Sequence, residues 1–198
     1  MNRKIALYAS AVNLAAVAGF AVSMLFRFDF GSYLSSMFIA LSFVPMMSGY
    51  AFSAEKESKS AGYVAVAFAS IYAAIILLVY YAQLTTVRLQ DLTSEASILL
   101  DFQQYGLMFN YDLLGYGIMA LATFFAGLTI SPQTKADKGL KYLLLIHGVF
   151  FFSCLVMPML GVFKADSPVW TGIAVLEFWC LYFSFIDLLS WHFFKRLR

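Results

Sequence analysis

Three acids lie inside apolar runs of this chain: Asp112, Glu177 and Asp187. A carboxylate in hydrocarbon costs about 2.5–3.5 kcal/mol on insertion scales, so each must turn toward protein or water. Asp112 sits in the stretch Phe109-Asn110-Tyr111-Asp112-Leu113-Leu114-Gly115-Tyr116-Gly117, which also offers an amide and two phenols. Two carboxylates brought to one level cannot both ionise easily, so together they would hold a proton or a cation. On that chemistry Asp112, Glu177, Tyr111, Tyr116 and Asn110 are the candidate ligand-binding residues. Asp187 has another candidate partner, His147, and a buried His–Asp pair either ties helices together or moves protons.

The elements that must position these groups are membrane helices. The chain of 198 residues is 62% hydrophobic and only 12% charged, against about 25% charged in soluble domains. Its mean hydropathy is +0.80. Six apolar runs, at about 5–26, 33–52, 61–84, 107–130, 142–163 and 169–194, each approach the roughly 20 residues a span requires. The reading is an all-α, polytopic six-helix bundle forming one domain over 1–198. Residues 131–141 read as a polar loop and 164–168 as a turn. The first run follows Arg3 and Lys4 but is too long for a signal peptide core and reads as a retained helix.

Basic residues set the orientation. With the N-terminus in the cytoplasm, ten of the 13 Lys and Arg fall on the cytoplasmic side and only Arg27, Arg88 and Lys164 on the other. The positive-inside rule therefore predicts both termini inside. The same arrangement leaves the outer loops net negative, which is ordinary asymmetry and at most suits a cationic or proton-linked ligand.

Depth and phase then place the acids. At 1.5 Å per residue, Asp112 lies roughly 8 Å and Glu177 roughly 12 Å below the outer face. Gly115, Met119, Ala122, Thr123 and Ala126 share the Asp112 side of their helix, a face suited to close helix contact. Cys180, Ser184 and Asp187 continue the Glu177 side. The expected pocket opens outward between the fourth, fifth and sixth spans. His147 and Asp187 both fall in the cytoplasmic half.

Other features have quieter readings. Leu89, Leu92, Ala96, Leu99 and Leu100 recur at helical spacing within 85–106, predicting a short amphipathic helix in the outer loop between spans three and four. Ala11, Ala15 and Gly19 form a small-residue ridge for helix packing inside the bundle, or for docking another membrane protein. Pro45 predicts a kink. Asn13 predicts an interhelical hydrogen bond, and Cys154 and Cys180 read as small core hydrophobes. There is no H-E-x-x-H, P-loop, GxGxxG or G-x-S-x-G, so no metal and no cofactor is implied, and nothing supports nucleic-acid binding.

Three runs, FNYDLLGYG at Phe109–Gly117, LLIHGVFF at Leu144–Phe151 and GIAVLEFW at Gly172–Trp179, resemble a group of small six-span bacterial integral membrane proteins with no assigned activity. That resemblance implies a bacterial plasma-membrane protein and supplies no catalytic residues. The size, the span number and the Ala11/Ala15/Gly19 ridge are similar to the substrate-binding subunits of energy-coupling-factor vitamin transporters. The expectations for function are three. The first is a small-molecule or cation binding or transport protein of the lipid bilayer. The second is an accessory subunit docked through Ala11, Ala15 and Gly19. The third is an intramembrane enzyme built on His147 and Asp187.

Overall fold

The computed structural model describes residues 2–163 and 169–197. The turn expected at 164–168 lies outside them. Helix α1 spans Asn2–Leu25, α2 Asp29–Ser53 and α3 Lys59–Ala82. A short helix α4 covers Ser94–Leu100, and α5 covers Leu107–Thr129. Then follow α6 at Lys135–His147, α7 at Phe150–Met159 and α8 at Val169–Arg196. Six helical stretches are long and apolar enough to cross a membrane, with α6 and α7 counting as one. No strand occurs among the described residues.

The helices close into a ring. α1 packs on α2, α2 on α3, α3 on α5, α5 on α6 and α7, and α6 on α8, which returns to α1. Arg3 Nη1 donates to the Leu197 carbonyl at 2.6 Å, so the two ends of the chain meet at one face, here called the terminal face. Outward-pointing side chains such as Leu78, Phe152 and Leu181 are 74%, 65% and 61% exposed, as a surface solvated by acyl chains requires.

The core is aromatic. Tyr72, Phe43, Phe183, Trp179 and Tyr116 form a closed circuit of ring contacts, with centroids 5.3, 6.2, 5.1, 5.4 and 5.7 Å apart in turn. Each tilted or edge contact adds about 0.5–1.5 kcal/mol beyond area burial. The circuit crosses the bundle at mid-height, with Asp112 on one side and Asp187 on the other.

Local chemistry shifts several expected boundaries. Helix α3 does not stop at Leu84: a π-turn over Gln83–Val87 carries it on, so Leu89 follows the end of the third span rather than starting a surface helix. The loop helix shrinks to Ser94–Leu100, capped where Thr93 Oγ1 accepts from Ala96 N at 3.3 Å. The polar stretch read as a loop over 131–141 is half helix. Thr134 and Asp137 form a capping box, Thr134 Oγ1 accepting from Asp137 N at 3.2 Å while Asp137 Oδ2 accepts from Thr134 N at 3.0 Å. Two orphan donors are thereby satisfied, which starts α6 at Lys135.

The fifth span is interrupted between His147 and Phe150. A Cβ on Gly148 would lie 2.8 Å from Phe124 Cβ, so α6 meets α5 there as only glycine allows. Pro45 sits inside an unbroken α2. The Ala11/Ala15 ridge does not pack inside the bundle. Ala11 and Ala15 are exposed, because the neighbouring stripe of Ala6, Ala9, Ser10, Asn13, Ala16 and Val17 is the one that α2 and α8 cover.

Candidate functional site

Asp112 is buried at 6% exposure, and its Oδ1 has no hydrogen-bond partner. The reason for its direction is helical phase. Gly115, Met119, Ala122, Thr123 and Ala126 are buried on the same side of α5, and a Cβ on Gly115 would touch Ile76 Cδ1 of α3 at 3.0 Å. The small face thus draws α5 against α3, and the acid goes with it.

What surrounds Asp112 is a set of hydroxyls. Tyr80 of α3 faces it. Ser36 of α2 faces both Tyr80 and Tyr116, and Tyr72 of α3 faces Tyr116. Ser36 Oγ, Tyr72 OH and Tyr116 OH are buried and, like Asp112 Oδ1, close no hydrogen bond. Buried polar atoms are paired in over nine cases in ten. Three such hydroxyls and one carboxylate oxygen thus gather between α2, α3 and α5, a polar cluster inside an apolar bundle.

A lid of backbone and rings covers this group on the side away from the terminal face. Gln83 Nε2 donates to the Leu100 carbonyl at 2.8 Å, and Gln83 Oε1 accepts from Phe102 N at 3.0 Å. One amide therefore clamps the α4 connection onto the π-turn, a device common beside functional sites. Phe102 then rests 6.0 Å from Tyr33, 5.9 Å from Tyr80 and 5.2 Å from Phe109.

The other expected ligands do not join this group. Asn110 and Tyr111 point to the exposed side of α5, Tyr111 at 46% exposure. One residue of helix turns a side chain by 100°, so neighbours of a buried Asp112 must diverge from it. Tyr116, one turn on, does join. Glu177 is half-buried on α8 beside Cys180, its Oε1 covered but unpaired, and no hydrogen bond links it to Asp112. The polar gathering is between α2, α3 and α5 rather than between the fourth, fifth and sixth spans. Ser36, Tyr72 and Tyr80 are not among the expected ligands; Tyr72 and Tyr80 stand eight residues apart on α3, a spacing that keeps them within about 80° of one face and carries the signal.

His147 and Asp187 do not pair, which corrects that expectation. His147 Nε2 accepts from Trp179 Nε1 at 3.1 Å, and Nδ1 meets Thr123 Oγ1 at 2.8 Å. Asp187 lies eight residues, or about 12 Å, further along α8 than Trp179. Both of its oxygens are buried without a partner.

Two clefts lie elsewhere on the molecule. One of about 430 Å³ is lined by Glu55, Glu57, Ser58, Gln133 and Lys141 near the terminal face, and one of about 530 Å³ lies along Trp170, Ala174, Val175 and Phe178. Neither includes an unpaired buried acid. Among the described residues no three His, Cys, Asp or Glu gather closely enough to hold a metal ion. Cys154 and Cys180 are both free thiols. No protein-family model, curated protein or solved structure matches the chain.

Proposed function

We propose that this is a multi-pass bacterial plasma-membrane protein, both termini cytoplasmic, that binds a small cation of ammonium size at Asp112 and serves its passage or sensing. The observation that carries the reading is the unpaired Asp112 Oδ1 beside the unpaired hydroxyls of Ser36, Tyr72 and Tyr116. An anion lodged there would be repelled by the carboxylate, and an apolar guest would leave every polar atom unsatisfied. A cation offsets the acid's charge, and the tyrosine rings add cation–π attraction. The placement of ten of the 13 basic residues supports the cytoplasmic terminal face. Asp112 then lies near the outer end, beneath the Gln83 clamp.

The test is thermal unfolding of the purified protein in detergent with ammonium, methylammonium, sodium, potassium or choline chloride at fixed ionic strength. Stabilisation by ammonium or methylammonium over choline, lost in Asp112→Asn and kept in Glu177→Gln, is the expected result. Equal responses in wild type and Asp112→Asn would overturn the site.

A second reading has its own observation. Ala11 and Ala15 stand exposed on the outer side of α1, where small residues let another helix approach closely. The protein would then be an accessory subunit of a larger membrane complex, and Ala15→Leu would strip a partner on co-purification without changing the Asp112 response.

A further inference from the structure

The structure assigns a second site, for a small monovalent cation, at the seam of α1, α2 and α8, with Asp187 and Asn13 as its principal ligands. It stands on its own geometry and does not depend on the reading of Asp112.

Three helices converge at this seam. A Cβ on Gly49 of α2 would overlap Ala6 Cβ of α1 and lie 3.0 Å from Phe194 of α8. Seven residues are two turns, which return a helix to nearly the same face. Two turns toward the bundle's middle from Ala6, Gly49 and Phe194 stand Asn13, Ser42 and Asp187. Asn13 Nδ2 donates to Ser42 Oγ at 2.8 Å, which locks the first two together. Contacts on either side bracket Asp187 against α2: Phe183 meets Phe43 at 6.2 Å, and Tyr50 OH meets Ser190 Oγ at 2.5 Å.

The orientation of Asn13 follows from its partners. Nδ2 donates to the Ile39 carbonyl at 2.9 Å as well as to Ser42 Oγ. Ser42 has committed its own proton to the Phe38 carbonyl at 2.6 Å. Both partners therefore accept, the amide nitrogen must face them, and Asn13 Oδ1 is left turned the other way without a donor.

Every hydroxyl at this level is committed in the same manner. Ser10 donates to the Leu7 carbonyl, and Ser190 to the Ile186 carbonyl. Tyr50 must then donate to Ser190, since Ser190 has no proton left for it. What remains is three buried oxygens, Asp187 Oδ1, Asp187 Oδ2 and Asn13 Oδ1, with no hydrogen bond to any of them. Asp187 and Asn13 are both 0% exposed. One negative charge, an oxygen-only set and no free donor suit a hard alkali cation better than a transition metal, and among the described residues no group of three His, Cys, Asp or Glu stands here. The aromatic circuit separates this site from Asp112.

The experiment compares sodium with choline at constant ionic strength and constant pH, read by thermal unfolding in detergent and by equilibrium binding of radiolabelled sodium. In wild type, sodium at a hundred-fold excess over its dissociation constant raises the midpoint by about 5–10 °C. Asp187→Asn abolishes both the shift and the labelled-sodium binding while Asp112→Asn keeps both. Asn13→Ala folds without the carboxylate being touched and weakens sodium binding by about tenfold. Sodium binding that persists in Asp187→Asn overturns the site. So does a wild type that ignores sodium and is stabilised instead by lowering the pH, because a proton then occupies Asp187.

Discussion

Trp179 donates its indole N–H to His147 Nε2, and this bond fixes the tautomer of a buried histidine. With Nε2 accepting, the ring proton sits on Nδ1 and is donated to Thr123 Oγ1, which passes its own to the Ala120 carbonyl. α5, α6 and α8 are stitched by one uninterrupted chain of donors and acceptors. Both ring nitrogens of His147 are thus engaged by Thr123 and Trp179, and neither meets Asp187.

Replacing Trp179 by Phe keeps most of the ring area and strips the donor. His147 Nε2 then becomes a buried acceptor without a partner, at a cost of about 1–3 kcal/mol. The expected outcome is a lower unfolding midpoint in detergent with an unchanged ammonium or sodium response.

Phe183 is the ring common to the aromatic circuit and to the His147 cage, with centroids 5.3 Å from His147 and 5.1 Å from Trp179. Phe183→Ala opens a cavity between the two acid sites and lowers stability by about 3–5 kcal/mol. Phe183→Leu should cost less, and the difference between the two reports the space left unfilled.

Gly62 holds the α2–α3 hairpin closed. A Cβ there would sit 2.6 Å from Ala51 Cα, which is backbone and cannot turn aside. Gly62→Ala therefore pushes the two helices apart and costs about 1–3 kcal/mol, whereas Gly139→Ala, with nothing within 4 Å, should be neutral or stabilising.

Gln83→Leu removes both hydrogen bonds that clamp the α4 connection. Hydrogen–deuterium exchange at Phe102 N should accelerate, while exchange in α3 up to Ala82 stays slow. Equal protection in the two proteins would show that the aromatic contacts of Phe102 alone hold the lid.

Arg196 pairs with Asp137 Oδ1 and joins the end of α8 to the start of α6. Asp137 also accepts from Gln133 N and Thr134 N, both at 3.0 Å. Asp137→Ala loses the cap and leaves the arginine single, so it should cost more than Arg196→Ala, with about 1–2 kcal/mol for the cap alone. Urea or thermal unfolding of the two variants checks the order.

The span pattern was legible because runs of apolar residues leave few alternatives in a chain this poor in charge. The inward turn of Asp112 was legible too, since its face carries Gly115, Met119, Ala122 and Ala126. Its partners were not. Tyr80 reaches it from α3, with Ser36 of α2 behind, and no periodicity within α5 says which helix will lie against the small face. The His147–Asp187 pairing failed on depth. Counting from helix ends put both in one half of the membrane, but the break at Gly148 and the earlier start of α6 changed the level of His147 relative to α8. The capping box at Thr134 and Asp137 was available from spacing alone and was hidden by the polar character of the segment.

The seam that gathers Asn13 and Asp187 joins the first helix of the chain to the last. Between the synthesis of these two residues lie 174 positions, about 9–35 s of elongation at ordinary rates. Throughout that interval α2 can already hold Asn13 Nδ2, while the flank of α1 that faces α8, with Asn13 Oδ1, stays uncovered. The ring can shut only once α8 has been made, and a nascent chain stalled before it would present that polar flank to any membrane chaperone or protease able to read it.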